Sequence, residues 1–142
     1  MAKIMQKIKL SNSHDEENVR RGLSRPDEVR WLEIDALVDT GATMLMLPAD
    51  VIDRLGLPTA GHRNVRYADG RLEEVPWVGG IKLTILGRDM FTDALVAAAG
   101  TTPLIGQIPL EELDLLVDPK SRELRVNPAS PDAPLLDALK VA

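Results

Sequence analysis

The chain contains no cysteine. That excludes disulfide staples, thiolate-ligated zinc and a thiol nucleophile. Aromatic residues are nearly absent: two Trp, one Tyr and one Phe. A core must then be built from Leu, Val, Ile, Ala and Met. Positive charge is in deficit, with 17 Lys+Arg against 22 Asp+Glu and a net charge of −5. Binding to nucleic acid needs clustered cations that displace counterions, so no nucleic-acid partner is expected. No apolar run reaches the roughly 18–20 residues of a membrane helix, and no long apolar stretch opens the sequence. The expectation is a soluble, cytoplasmic protein without a membrane partner. A Gly-rich phosphate loop, a Gly-x-Ser-x-Gly elbow and a His-Glu-x-x-His helix are also missing.

What is present fits one domain. The 142 residues are 44% hydrophobic and 27% charged, ordinary values for a globular protein. Residues 1–127 carry the patterned segments, and 128–142 form a tail with Pro128, Pro131 and Pro134. In that tail Leu135-Leu136-Asp137-Ala138-Leu139 is an apolar segment suited to docking on the body or on a partner. Residues 11–27 are polar and read as a long loop, with at most a short helical turn. Elsewhere the periodicity is mostly two, the strand signature. It runs through 3–10, 29–38, 65–67, 72–75, 81–85, 90–97 and 123–126. Asp69-Gly70 between two such runs predicts a hairpin with a type I′ turn. Leu86-Gly87-Arg88-Asp89 reads as a further turn. Two segments read as helices: 48–55, opened by Pro48 and closed before Gly56, and 109–116, opened by Pro109 with an acidic first turn. The sum is a mainly-β barrel or sandwich with two short helices.

The chemistry concentrates in Ala36-Leu37-Val38-Asp39-Thr40-Gly41-Ala42-Thr43. Turns normally follow polar residues, whereas here an apolar strand runs straight into an acid. An Asp so placed sits where water is thin, and desolvation disfavours its charged form. Gly41 and Ala42 leave room beside the carboxylate for a second backbone, and Thr40 offers a hydroxyl without added charge. A plain turn would explain the tripeptide Asp-Thr-Gly by itself.

This stretch resembles the active-site motif of retropepsin-like aspartic proteases, and the later Leu104-Ile105-Gly106 resembles their apolar-apolar-Gly signature. The order of the intervening helix and hairpin is similar too, over roughly residues 36–126, and the chain looks most like single-domain bacterial members. The resemblance implies a closed β-barrel and an aspartic endopeptidase that needs no cofactor or metal. It implies Asp39 as catalytic residue, Thr40 bracing the site across a dimer, and Gly41 and Ala42 supporting the loop. It implies that Tyr67, Ala68, Asp69 and Gly70 form a flap over a peptide or protein substrate. Leu104, Ile105 and Gly106 would form the floor. A dyad of carboxylates is required, and the chain holds one Asp-Thr-Gly and no Asp-Ser-Gly. Asp39 must then meet Asp39 of a second copy, which predicts a homodimer. Three features depart from the viral enzymes: an Ala-Asp-Gly flap tip, Gln107 after the Leu-Ile-Gly, and the length of 11–27.

Other residues carry less. His14-Asp15-Glu16-Glu17 has no second His nearby and reads as solvated loop, not a metal site. Trp77 reads as a partly buried structural residue. Arg66 and Arg71 flank the hairpin, where an acidic substrate would meet them. The competing functional reading is a non-catalytic dimeric module that binds peptides or scaffolds on the same fold.

Overall fold

The computed structural model describes residues 3–138. Its strands and helices in chain order are β1 (Met5–Asn12), α1 (Ser13–Arg20), β2 (Trp31–Val38), β3 (Met46–Pro48), α2 (Ala49–Leu55), β4 (Thr59–Arg66), β5 (Leu72–Ile85), β6 (Arg88–Ala97), β7 (Leu104–Ile105), α3 (Gln107–Glu112), β8 (Leu115–Asp118) and β9 (Glu123–Val126). A 3-10 turn covers Pro26–Glu28.

Six strands close into a barrel. The order is β1-β2-β7-β3-β6-β5, and β5 pairs back onto β1 through Lys9↔Thr84 to Asn12↔Ile81. Closure leaves these six strands no open edge. The first half of β5 leaves the wall and pairs with β4 from Arg66↔Leu72 to Thr59↔Val78, so this hairpin projects from the barrel. The change of partner falls at Gly79 and Gly80, where the β5–β6 register shifts and Gly80 adopts φ +81. A bulge of this kind bends a strand and re-aims it.

The inward-facing residues are aliphatic, as the scarcity of rings demands. Ile8, Leu10, Leu47, Val78, Ile81, Leu83, Ile85 and Ile105 are fully enclosed, and α2 adds Val51, Ile52 and Leu55. Removing one of these large side chains to Ala would cost about 2–5 kcal/mol.

Three expectations need correction. Residues 11–27 are not a loop: Ser11 and Asn12 end β1, and α1 follows at once. Asn12 caps this helix, its Oδ1 accepting from the amides of His14 at 2.9 Å and Asp15 at 3.0 Å. Gly22 at φ +76 closes it with a reverse turn, Leu23 N donating to Asn18 O and Gly22 N to Val19 O. No residue of α1 is fully buried, so it leaves no apolar period to read. The barrel therefore carries three helices, not two. The second correction concerns 109–116. Here α3 starts earlier, at Gln107, and Asp114 at φ +54 breaks it, sending Leu115 and Leu116 into β8. The third concerns the hairpin tip. Gly70 N donates to Tyr67 O and Tyr67 N to Arg71 O, with positive φ at Gly70 and not at Asp69. That is a three-residue loop with one left-handed glycine, not a type I′ turn. The two-residue turn with both central φ positive is Leu86-Gly87, between β5 and β6.

The tail folds back on the body. Arg88 is buried and donates to the carbonyls of Leu113, Asp114 and Ser130. The Asp114 carboxylate accepts from Ser130 Oγ, from Asn127 Nδ2 at 3.0 Å and from Leu135 N at 3.1 Å. Leu135 and Leu136 nevertheless stay exposed. Residues 139–142, which include the end of the apolar tail segment, lie outside the described residues.

Two stability predictions follow from these anchors. Asn12 also donates from Nδ2 to Leu55 O at 2.8 Å, tying the end of α2 to the start of α1. Asn12→Ala removes the cap and leaves a buried carbonyl unpaired, so thermal unfolding should show a loss of about 2–3 kcal/mol. Hydrogen bonds from Ser130, then Asn127 and Leu135, hold the Asp114 carboxyl down at about 2, against an ordinary 3.8. A depressed carboxylate contributes stability above its unfolded pKa and loses it as pH falls through the folded value. Amide protection at 127–135, relative to the intrinsic exchange rate at each pH, should therefore fall between about pH 4 and pH 2, and Asp114→Asn should show weak protection there at neutral pH.

Candidate active site

The Asp39 loop is built where two strands run side by side. β2 and β7 are parallel, with Leu37↔Leu104 and Val38↔Ile105 paired, and β3 then pairs antiparallel on the other side of β7. The chain between β2 and β3 must arch over β7, and Asp39 opens that arch. Its amide donates to Ile105 O at 3.0 Å, so the residue is fixed by its backbone to the barrel wall. Ala42 N donates to Asp39 O at 3.1 Å and closes the turn. Gly41 N donates to the Asp39 carboxylate at 3.0 Å, which orients the acid.

The return side of the arch is held by the start of α3. Gln107 N donates to Ala42 O at 2.8 Å and Ile108 N to Thr43 O at 2.9 Å. Between them Gly106 faces the arch directly. A Cβ there would stand 2.5 Å from Met44 O and 2.6 Å from Met44 N. The glycine is demanded by space, since its φ of −87° is open to any residue. Gly41 is tight for a different reason: a Cβ would lie 3.3 Å from Asp39 Oδ1 and crowd the acid.

A groove of about 630 Å³ opens beside Asp39, between the arch and the β4–β5 hairpin. Of the residues singled out from sequence, Asp39, Gly41, Ala42, Tyr67, Ala68 and Leu104 meet along it. Thr40 sits exposed at the tip of the arch, away from the groove lining. Ile105 and Gly106 are buried beneath it and support it without touching its space. Asp69 and Gly70 are exposed at the hairpin end, where the Asp69 carboxylate accepts from Arg71 N at 2.9 Å and serves the turn. Asp39 itself is half-buried in the single chain, less enclosed than the apolar run before it implies.

The sequence missed several lining residues: Met44, Met46, Val65, Leu95 and Arg63. The sequence pattern sent Met44 and Met46 to the core, Leu95 to a strand and Val65 to the hairpin, and only the pairing of β3 with β6 and β7 sets Met46 beside Leu95 and Leu104 at the groove. Arg66 does line the groove, whereas Arg71 stacks on the Tyr67 ring at 4.4 Å. Trp77 is structural: it donates to Asp93 Oδ2 at 2.7 Å and lies 4.0 Å under the Arg63 guanidinium.

Nothing in the arrangement gathers ligands for a metal. Among the described residues no three His, Cys, Asp or Glu side chains cluster for that purpose. The acids of 14–17 are engaged otherwise, Asp15 with Arg30 at 2.9 Å, a bond that lowers the Asp15 pKa. No described helix is long and apolar enough to cross a membrane.

The Gly106 contact yields a test. Gly106→Ala forces two backbones apart, and overpacking of this kind costs about 1–3 kcal/mol. Denaturant unfolding should show a loss of at least that size. Backbone amide shifts in an NMR spectrum should move at residues 39–44 and 105–108, and less at the hairpin tip 68–70.

Comparison with known proteins agrees with this geometry. No curated protein matches the chain. A family model described as aspartyl protease matches residues 28–108, more than half of the sequence. The matched span runs from the 3-10 turn before β2 to the first turn of α3, and so includes the arch, the hairpin and Gly106. The chain, a mainly-β single domain with a closed six-stranded barrel, belongs to the retropepsin-like aspartyl protease family.

Proposed function

We propose that the protein is an aspartic endopeptidase in which Asp39 and Asp39 of a second copy activate one water molecule. The observation that carries this reading is the placement of Asp39. It stands on a backbone-anchored arch and lines a groove of about 630 Å³ that the projecting β4–β5 hairpin also borders. Family membership supports peptidase chemistry. The demand for a second copy comes from counting acids: among the described residues Asp39 is the sole carboxylate lining the groove. One carboxylate cannot be both the base and the acid at the moment of attack.

Two carboxylates about 3 Å apart resist double ionisation, so the pair holds one shared proton. The ionised Asp39 takes a proton from the water as its oxygen bonds to the peptide carbonyl carbon. The protonated Asp39 gives its proton to the carbonyl oxygen, forming a neutral tetrahedral diol. Collapse then breaks the C–N bond. A proton passes from the diol back to one carboxylate, and the leaving nitrogen accepts a proton from the dyad. The net change is one water consumed, with an acid and an amine released. Gly41 N, donating to the carboxylate, keeps the acid aimed at that water. The β4–β5 hairpin, with Tyr67 and Ala68 on the groove side, excludes bulk water as a lid does. Exposed Thr40 at the tip of the arch is positioned to brace against the partner copy.

A diverse peptide pool incubated from acid to neutral pH, with cuts read by mass spectrometry, tests the reading. Wild type should cleave and Asp39→Asn should lose about a thousandfold or more, since Asn keeps the shape without the proton chemistry. Specific activity should rise with protein concentration as copies pair. Excess Asp39→Asn chain should poison the wild type by drawing it into mixed dimers. Equal cleavage by both proteins, or full activity in a species that sedimentation shows to be monomeric, overturns the proposal.

A further inference from the structure

The groove beside Asp39 has a charge pattern opposite to that of the whole chain. The protein carries a net −5, yet Arg63 and Arg66 both line the groove and Asp39 is the one acid facing them among its described lining residues. No described carboxylate lies within ion-pair distance of either guanidinium. Arg63 is engaged already, stacked on Trp77 outside the lining and donating from Nη1 to His62 O at 3.0 Å, which leaves Arg66 as the cation with no described side-chain partner. Beside the two cations and the polar Thr43 and Asn64 the lining offers apolar side chains, Met44, Met46, Val65, Leu95 and Leu104. Two of these are methionines, which adapt to side chains of varied shape.

We infer that the groove selects peptides that carry an acidic side chain close to an apolar cleavage site, with Arg66 of β4 receiving the carboxylate and Arg63, on the other face of the strand, adding to the positive field. The inference rests on the peptidase reading for where the bond breaks, while the binding preference stands on the groove alone. A guanidinium offers paired N–H donors that match a carboxylate, and unpaired cations in a walled groove attract anions from solution. Apolar side chains on either side of the scissile bond would occupy the Met, Val and Leu surfaces. Both arginines are exposed, so solvent screens the pair and the preference is modest, about three- to tenfold.

The test separates binding from cleavage. Asp39→Asn protein is titrated into fluorescein-labelled octapeptides with a central Leu-Leu. One Glu, or one Gln at the same place, is walked through the flanking positions, and anisotropy reports binding. At one or two positions Glu should bind about three- to tenfold tighter than Gln, with the ratio shrinking at high salt. Arg66→Gln in the same background should bring the ratio toward one, and Arg66→Glu should favour a Lys peptide instead; thermal melts check that these surface variants fold. Equal binding of Glu and Gln peptides at every position overturns the inference, as does no binding of any, or a Glu preference that survives the Arg63→Gln, Arg66→Gln double change. The same peptides are then given to wild type. Cleavage with no Glu preference overturns the inference and leaves the peptidase reading standing. Glu-selective binding without cleavage does the reverse.

Discussion

Two stretches of backbone cross at Gly106 with no room for a side chain between them. The arch that carries Asp39 comes down on this glycine, and Met44 would meet any Cβ built there. Everything about the site follows from that contact. It lets β7 run between β2 and β3, so that the acid is anchored by its own amide to Ile105 O. It also brings the first amides of α3 under the arch, where they pair with the carbonyls of Ala42 and Thr43. An acid on a surface turn would sample many positions. This one has its backbone fixed on one side by a strand and on the other by a helix start. Such preorganisation is what acid–base chemistry on a single water needs.

The rest of the molecule serves that arrangement from a distance. The aliphatic barrel supplies rigid walls without a ring-filled core. α1 supplies a strut. A Cβ at Gly80 would stand 2.7 Å from the His14 ring, so this helix presses against the bulge where the hairpin leaves the barrel. Asn12 fixes the strut, since one side chain caps α1 and ties down the end of α2. Beyond the far end of α3, Arg88 and Asp114 pin the tail.

The parts of the fold visible in sequence are those whose chemistry is local. Ala36-Leu37-Val38 running into Asp39 announced the arch, because apolar residues seldom lead into an acid-bearing turn. Pro48 and Gly56 bracketed α2. The hidden parts depend on tertiary partners. α1 has no buried residue, so its only signals were a cap at Asn12 and a glycine at its close, set in a polar segment that imitates a loop. The turn at Leu86-Gly87 was legible but its geometry was not: Leu86 at φ +50 defies the usual reluctance of leucine for that region, and the type I′ form was expected at Asp69-Gly70 instead. Leu115 and Leu116 continued a helical pattern that Asp114 breaks by a left-handed conformation invisible to periodicity. In the site, Asp39 and Leu104 were legible as motif residues. Arg63 was not, since an arginine on an edge strand reads as solvent face until the groove beneath it is seen.

The hairpin over the groove is the outer half of β5, a strand whose inner half is barrel wall. The bulge at Gly79 and Gly80 separates the two halves, so the register of the wall is set below it and that of the roof above it. Roof length is thereby uncoupled from barrel closure. Adding two residues to each arm would extend the roof by about 7 Å and keep every side chain on its face. Adding one would turn Val65 to the opposite face and bring its neighbours in the strand to the side it leaves. Lineages that retain the bulge can thus lengthen or shorten the cover in steps of two and change how much of a peptide is enclosed. The acid, its arch and the barrel beneath would be left as they are.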